Sequence, residues 1–424
     1  MAQDTKTLSL DEAVQLSLQN SKQLKLSQGK INESKASLRQ AKENRLPDLK
    51  ASGSYLRVNN PSVNLKVKLG SSSGTPSAPP TVDQASYGIV NASLPIFSGL
   101  RIQYGIESAK YLDEATRLDA ERDRDGVIQN TIAAYVNLYK SKAAVNLMQE
   151  NLKQSKQRVT DFSNLEQNGL LARNDLLKVQ LQESNVELSL LDAENNWKIA
   201  MINMDLMLGL PENTVIDIDS NSIMQPTDIN GKLDWEQTAL MHRQDIAALT
   251  YREKAANASI KAAKGEYYPG IAVTGGYIAI DVPNLLTVTN AINAGVGLQY
   301  NVGSLWKTGS KVAQAKARKQ QLVANEEMLS DEVRLQINRA YENYVLSIKK
   351  IEVYAKAVDQ ANENYRITNN KYANNLVTTT DLLDADIAQL QAKLNYSNSK
   401  ADAIVAYKNL LQTAGIINEQ YTKK

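Results

Sequence analysis

The chain repeats one sequence pattern in tandem, and this duplication limits its fold more than any other feature. A shift of 206 residues brings Asp175 onto Asp381, and a shift of 222 residues aligns the opening quarter with the middle. The first copy carries about 16 extra residues beside a Gly-, Ser- and Pro-rich stretch at 70–80. We therefore expect two similar structural repeats in succession, over residues 1–210 and 233–415.

Each copy is predicted to begin with a helical segment that leads into a β-hairpin. A proline ends the helical segment at Pro47 and again at Pro269. After each proline, apolar residues alternate with small or polar ones, which is the period of a strand with two different faces. The alternation is cleanest in the last strand, where the apolar side carries Ile292, Ala294, Val296, Leu298, Tyr300 and Val302. The hairpins are expected at about 48–97 and 270–303.

A pair of very long helices is predicted after each hairpin, at about 99–208 and 305–413. No proline interrupts either stretch, and the first helix alone would be roughly 100 Å long. Helices of this length need partners to cover their apolar stripes, which favours coiled-coil-like packing. A linker at 211–232 is expected between the copies, and a short tail at 416–424 follows them.

Composition excludes several classes of function. There are 48 basic against 46 acidic residues, so nothing indicates nucleic-acid binding. Cysteine is absent and His242 is the only histidine, which argues against a metal site built on these residues and against most acid–base catalysis. We expect no enzyme activity, no catalytic residues, no metal and no cofactor. A signal peptide is not visible, although Met1 could have been placed on a mature, exported N-terminus.

The four strands have the length of transmembrane β-strands, about ten residues each. The same pattern is explained equally well by a small soluble sheet that caps a coiled coil. Four strands cannot close a membrane barrel, because the smallest use about eight. If these strands cross a bilayer, several chains must share one barrel, since unpaired strand edges are not tolerated in lipid.

The sequence resembles the TolC-like outer membrane factor family over nearly its whole length. The resemblance rests on the duplicated helix–hairpin–helix–helix order and on the Pro-Ile-Phe-Ser-Gly run at 95–99. It rests most on the two helix turns at 168–177 and 374–384, which are similar to the helical tips of that family. It implies a mainly α fold with a β-hairpin per repeat, assembled as a homotrimer. The trimer would share a twelve-strand transmembrane β-barrel and a long periplasmic α-helical barrel.

The resemblance also implies a function and a location. The chain would be the outer membrane exit duct of a tripartite efflux pump or type I secretion system in a Gram-negative bacterium. Its partners would be a periplasmic adaptor (membrane fusion) protein, an inner-membrane transporter and outer-membrane lipid. The loops at about 59–84 and 281–291 would face outside the cell, and the helix tips would lie deepest in the periplasm. The linker at 211–232 would be equatorial, in a belt of irregular structure that also holds the tail. The alternative is a soluble periplasmic coiled-coil adaptor without a membrane barrel.

Two aspartates are candidates for the periplasmic aperture. Asp381 and Asp384 are three residues apart, so they share one face of a helix just after the turn. In a trimer they would place six carboxylates around the mouth, and such rings favour cations. The alternative is helix capping, because an acidic residue in the first turn is favoured by the helix dipole. The resemblance supports the aperture role.

The resemblance supplies further candidate sites. It implies a gate latch that involves Asp175 and Tyr372, although Val377 stands where better-known members carry an arginine. Exposed residues at the helix turns are candidates for adaptor docking, against the alternative of local packing: Gly169, Leu170, Leu171, Asn375, Leu376 and Val377. Aromatic residues on or beside the strands are candidates for the membrane interface, against ordinary strand propensity: Tyr55, Tyr87, Tyr277, Tyr300 and Trp306.

Overall fold

The computed structural model describes residues 5–59, 61, 82–211, 214–218, 234–283 and 285–422. The first copy contains β1 (Thr5–Leu8), α1 (Leu10–Asn20), α2 (Lys22–Glu43), β2 (Asp48–Arg57), β3 (Gln84–Phe97), α3 (Arg101–Gln167) and α4 (Arg173–Leu208), followed by β4 (Val215–Ile218). The second contains α5 (Trp235–His242), α6 (Gln244–Lys264), β5 (Gly270–Val282), β6 (Leu286–Gln299), α7 (Ser304–Ala373) and α8 (Thr379–Thr413), and it is followed in the tail by α9 (Glu419–Thr422). The expected fold class, mainly α with one β-hairpin per repeat, is confirmed. Most of the expected loop at 59–84 and linker at 211–232 lies outside the described residues, as does the end of the tail.

The helical segment that opens each copy is divided into two helices, where the sequence predicted one. The divisions fall at Ser21 and Arg243, which the 222-residue shift aligns. Both residues have nearly the same extended backbone, with φ/ψ of −55°/122° at Ser21 and −68°/124° at Arg243. Neither is glycine or proline, so no breaker residue marks the position. The duplication therefore extends to a backbone detail that single-sequence patterns do not reveal.

The chain divides into two compact units. The first unit comprises Met1–Ile31, Arg117–Ala248 and Glu326–Lys424. Its main core is apolar and centres on α1, α3, α4 and α8, with Ile128, Ile132, Tyr135, Leu138, Met204 and Leu208 fully buried. The Tyr135 hydroxyl donates to the Leu8 carbonyl at 2.8 Å, which anchors β1 on this core.

A second feature of this unit was not predicted from the sequence. Strand β1 pairs in parallel with β4, in a two-stranded sheet where Leu8 lies opposite Ile218. Each strand has only four residues, which is too short for a period-two pattern to stand out. None of the helices in the described part of the chain holds an 18-residue stretch apolar enough to cross a bilayer.

The second unit comprises Asn32–Thr116 and Leu249–Asn325 and contains the large sheet. Its strand order is β2-β3-β5-β6 and every pairing is antiparallel. The pairing of β3 with β5 joins the two copies through one ladder, in which Val90 lies opposite Tyr277. The outer strands β2 and β6 each have one edge with no strand beside it in the described residues.

Candidate functional site

The four-stranded sheet has one strongly apolar face. The register aligns apolar residues across the strands, so that Leu94 and Val273 lie in one row with Val296. These side chains are not covered within the chain: Ile292 is 80% exposed, Val296 74% and Leu298 71%. The same face also carries Leu49, Ala51, Tyr55, Val90, Ala92, Ile271 and Tyr277. So large an exposed apolar surface marks contact with lipid or with another protein.

The opposite face of the sheet is mainly polar or small. Asn91, Gly276 and Asn293 form one row across β3, β5 and β6. A Cβ at Gly276 would lie 2.9 Å from the Asn91 side-chain oxygen, so glycine makes room for the asparagines there. Other members of this face are Lys50, Ser52, Ser54, Ser93, Thr274 and Gln299. A sheet with one apolar and one polar face suits a position between lipid and water.

The predicted interface aromatics do not all lie on one face. Tyr55 and Tyr277 belong to the apolar face, whereas Tyr87 pairs with Ser54 and points to the polar face. Tyr300 follows the end of β6, and Trp306 lies in the first turn of α7, where it is 67% exposed. An interface role for these residues remains a prediction, and the register makes Tyr87 the weakest member of the set.

A tight corner connects β3 to α3. Gly99 and Leu100 are consecutive residues in the left-handed region, with φ of 63° and 62°. A Cβ at Gly99 would overlap the carbonyl oxygen of Gly265, and a Cβ at Gly265 would overlap that of Gly99. Two glycine backbones therefore pack against each other here. This contact explains physically why the Pro-Ile-Phe-Ser-Gly run ends in glycine.

The two helix turns are built alike. Gly169 and Asn375, which the 206-residue shift aligns, have left-handed φ values of 72° and 57°. The next residue's N–H then bonds back across the turn, Leu170 to the Leu165 carbonyl and Leu376 to the Lys371 carbonyl, both at 2.9 Å. In this kind of helix end the following apolar residue usually packs back on the helix. Here Leu170 is 75% exposed and Leu376 72% exposed, so local packing does not account for them.

The α8 start carries the two candidate aperture carboxylates on its exposed side. Asp381 forms a capping box with Thr378, whose backbone N–H donates to the carboxylate at 2.8 Å. The Thr378 hydroxyl bond and then this backbone bond lower the pKa of Asp381. Capping and exposure thus occur together at Asp381. No group of three or more His, Asp or Glu side chains that could hold a metal ion occurs among the described residues.

The α4 start differs from that of α8 in charge. Asp175 pairs with Lys178 at 3.2 Å, and the 206-residue shift places Lys178 where α8 has Asp384. Neither Asp381 nor Asp384 has an ion-pair partner in the described part of the chain. The first copy thus neutralises its own helix start, whereas the second leaves two negative charges.

The gate-latch candidates are not joined within one chain. The Tyr372 ring stacks on Phe162, with centroids 5.4 Å apart and planes 3° from parallel. No hydrogen bond links it to Asp175 among the described residues, and Asp175 bonds Lys178 instead. Their latch role remains a prediction that concerns contacts between copies.

A buried ion pair near these turns was missed by sequence reasoning. Arg158 of α3 donates through Nη1 to Asp386 Oδ2 of α8 at 2.9 Å, and through Nη2 to the Tyr365 hydroxyl of α7 at 3.1 Å. The side chains of Arg158 and Asp386 are only 9% and 4% exposed. Burial opposes the charged guanidinium, but the bond and charge of Asp386, and then Tyr365, outweigh it and raise the pKa of Arg158. We name these three residues the α3–α8 clasp.

Comparison with known proteins agrees with this architecture. A sequence model described as "Outer membrane efflux protein" matches residues 13–210 and 235–416. The alkaline protease secretion protein AprF of Pseudomonas aeruginosa is 20% identical over 75% of this chain, and the cation efflux system protein CusC of Escherichia coli O157:H7 is 25% identical over 73%. The matches span 66% and 65% of those two relatives' own lengths. The solved structure of the outer membrane protein VceC from Vibrio cholerae aligns with a TM-score of 0.77 at 18% identity, over 96% of each chain.

Proposed function

The chain belongs to the outer membrane efflux protein family, and from this premise we propose that it is the outer membrane exit duct of a multi-protein export system. The duct is passive, and energy comes from an inner-membrane transporter. CusC is named for cation efflux and AprF for protease secretion. Both efflux and protein secretion are therefore consistent with the family.

The two-faced sheet is the observation that carries this proposal. Its apolar face is exposed in the single chain, and its two outer edges have no strand beside them in the described residues. In a bilayer both edges would have to be paired, because unpaired backbone groups are very costly in lipid. Three copies supply twelve strands, enough for a barrel with an aqueous lumen. We propose that β6 of one copy pairs with β2 of the next, that the apolar face contacts lipid and that the polar face lines the lumen.

The lipid-facing assignment predicts that Val296→Lys impairs membrane insertion and that Asn293→Lys does not. Lysine on the lipid side costs about 2–4 kcal/mol at the bilayer midplane, whereas the lumen side is polar. Both substitutions add one positive charge to β6, so they form a matched pair. Assembly of purified protein into lipid vesicles, measured by flotation and protease resistance, checks the difference. Equal insertion of both variants would contradict the assignment of the two faces, and failure of the unaltered protein to insert would favour a soluble coiled-coil adaptor.

The exposed side of α8 is proposed as the cation-attracting rim of the periplasmic mouth. In a trimer Asp381 and Asp384 contribute six carboxylates, and the first copy contributes no net charge because Lys178 pairs with Asp175. Rings of carboxylates concentrate cations and repel anions. The mouth therefore favours cationic or neutral cargo over anionic cargo.

If these carboxylates form the rim, the channel should conduct cations in preference to anions, and Asp381→Asn/Asp384→Asn should reduce this preference. The lowered pKa of Asp381 keeps its carboxylate charged as the pH falls, so the contribution of Asp381 to the preference should persist at about pH 5. Single-channel reversal potentials in a KCl gradient across a planar bilayer measure this. Asp359→Asn, on α7 away from the turns, is the control. An unchanged preference in the double variant would place the selective element elsewhere and leave the duct intact.

The helix turns are proposed as the docking surface for a periplasmic adaptor. Leu170 and Leu376 project from the two aligned turns and are about equally exposed. Together they offer pairs of apolar side chains of the kind that a partner's helical hairpin can cover. Gly169 and Asn375 shape the two turns through their left-handed backbones. Val377 is half-buried, and Leu171 packs partly on the apolar cluster around Phe162 and Leu176, so local packing accounts for Leu171 and these two residues contribute less to the surface. Tyr372 and Asp175 are proposed to meet neighbouring copies when the mouth closes.

A further inference from the structure

We infer that Arg158 is a positioning residue which, through the α3–α8 clasp, fixes the rotation of α8 and so the direction of Asp381 and Asp384. This inference rests on the proposed function for its meaning, because it concerns the carboxylates of the proposed mouth. It assigns a role to the one carboxylate near the start of α8 that faces inward. The structural basis lies within a single chain.

The start of α8 has two chemically different sides. Asp381 and Asp384 are exposed, whereas Leu382, Leu383 and Asp386 are buried. Leu382 and Leu383 pack on Phe162 of α3 and on Leu176 and Val179 of α4 in a small apolar cluster. An apolar contact is non-directional and tolerates some rotation of the helix. It therefore does not by itself determine which way the aspartates point.

The clasp fixes the rotation of α8 about its own axis. A charged hydrogen bond has defined distance and angle requirements, and the Arg158–Asp386 bond is short at 2.9 Å. Arg158 is held from a second side, because its other terminal nitrogen donates to Tyr365. Rotating α8 would withdraw Asp386 and leave two buried charges without an ion-pair partner. Such a loss strongly disfavours any rotation.

The duplication offers an internal contrast. The 206-residue shift aligns Arg158 with Asn364 and Asp386 with Gln180. These uncharged residues cannot form an ion pair, so the start of α4 lacks a corresponding clasp. The clasp holds only α8, the helix whose start carries two carboxylates without an ion-pair partner. This distribution is expected if the clasp orients the carboxylates of Asp381 and Asp384.

The test uses the absence of native cysteine, which lets single cysteines report on each side of α8. Asp384→Cys places a thiol on the exposed side and Ala385→Cys places one on a side that is 4% exposed. Each is combined with Arg158→Met/Asp386→Leu, which replaces the ion pair by apolar groups of similar size and is usually tolerated. The matched control is Asn364→Met/Gln180→Leu, the same replacements at the aligned positions. Arg158→Gln/Asp386→Asn is a second, polar replacement in case the apolar one does not fold.

We expect the clasp variants to raise the maleimide labelling rate at position 385 relative to 384 by about fivefold or more, and the control to leave the ratio unchanged. Equal unfolding midpoints of clasp and control variants would exclude general destabilisation as the cause. In the bilayer, a clasp variant that keeps Asp381 and Asp384 should nevertheless lose part of the cation preference. An unchanged labelling ratio in both clasp variants would overturn the inference. If the unaltered protein forms no channel, the proposed function fails, while the labelling ratio still decides whether Arg158 positions α8.

Discussion

Replacing Arg158 by methionine alone is expected to lower the free energy of unfolding by about 3–5 kcal/mol. The substitution removes one member of a buried ion pair and leaves the Asp386 carboxylate uncompensated at 4% exposure. Asp386 Oδ1 already lacks a hydrogen-bond partner in the described residues, so nothing else nearby compensates the charge. The measurement is a guanidinium titration of detergent-solubilised protein, followed by helical circular dichroism.

The stability lost in Arg158→Met should depend on whether Asp386 is still charged. Asp386→Leu in the Arg158→Met background is expected to restore most of the lost stability, because the isolated charge is then gone. Asn364→Met, at the aligned exposed position of α7, should change stability by no more than about 0.5 kcal/mol. A cost for Arg158→Met as small as that of Asn364→Met would mean that the pair is open to water in solution.

Gly99→Ala is expected to lower the free energy of unfolding by about 3 kcal/mol or more. Two costs combine at this position. Alanine is strained at a φ of 63°, and its Cβ would overlap the Gly265 carbonyl oxygen, which belongs to backbone and cannot rotate away. The corner between β3 and α3 would have to open. The same guanidinium titration measures the loss, and folding yield in detergent gives a second readout.

Gly105→Ala is the matched control for this prediction. Gly105 lies in α3 only six residues further on, and a Cβ there would meet nothing within 4 Å. Alanine is the better helix former by about 1 kcal/mol, so this variant should be slightly more stable than the unaltered protein. Equal losses at positions 99 and 105 would show that the corner is not rigid.

The elements of this fold were predictable because their signals are local. The long helices end where left-handed residues stand, at Gly169 and Gly209, and glycine at such ends is visible in the sequence. The period-two pattern after each proline predicted the hairpins. The divisions at Ser21 and Arg243 were not predictable, since neither residue is a helix breaker.

Contacts between residues far apart in the chain could not be predicted from local sequence patterns. Arg158 and Asp386 are 228 residues apart, and the surroundings of Arg158 in the sequence are those of an exposed helix face. Arg158 is buried because of the way in which α3, α7 and α8 are oriented against one another in the folded chain. The alignment of the two copies was the one available hint, because it showed a charge at Asp386 where the first copy has Gln180. The roles of the mouth and tip residues depend on neighbouring molecules, so a single chain defines their geometry and leaves their roles to experiment.

The exchange of Lys178 for Asp384 between the two copies has a consequence for symmetry. In the proposed trimer, six similar helix starts would surround one axis, and their backbones alone would approximate a sixfold arrangement. Their charges do not follow it, because self-neutralised starts alternate with doubly negative ones. The electrostatic potential around the axis therefore repeats every 120° instead of every 60°. A cation that approaches the proposed mouth would meet three attractive sectors separated by three neutral ones, and its preferred paths would lie off the axis.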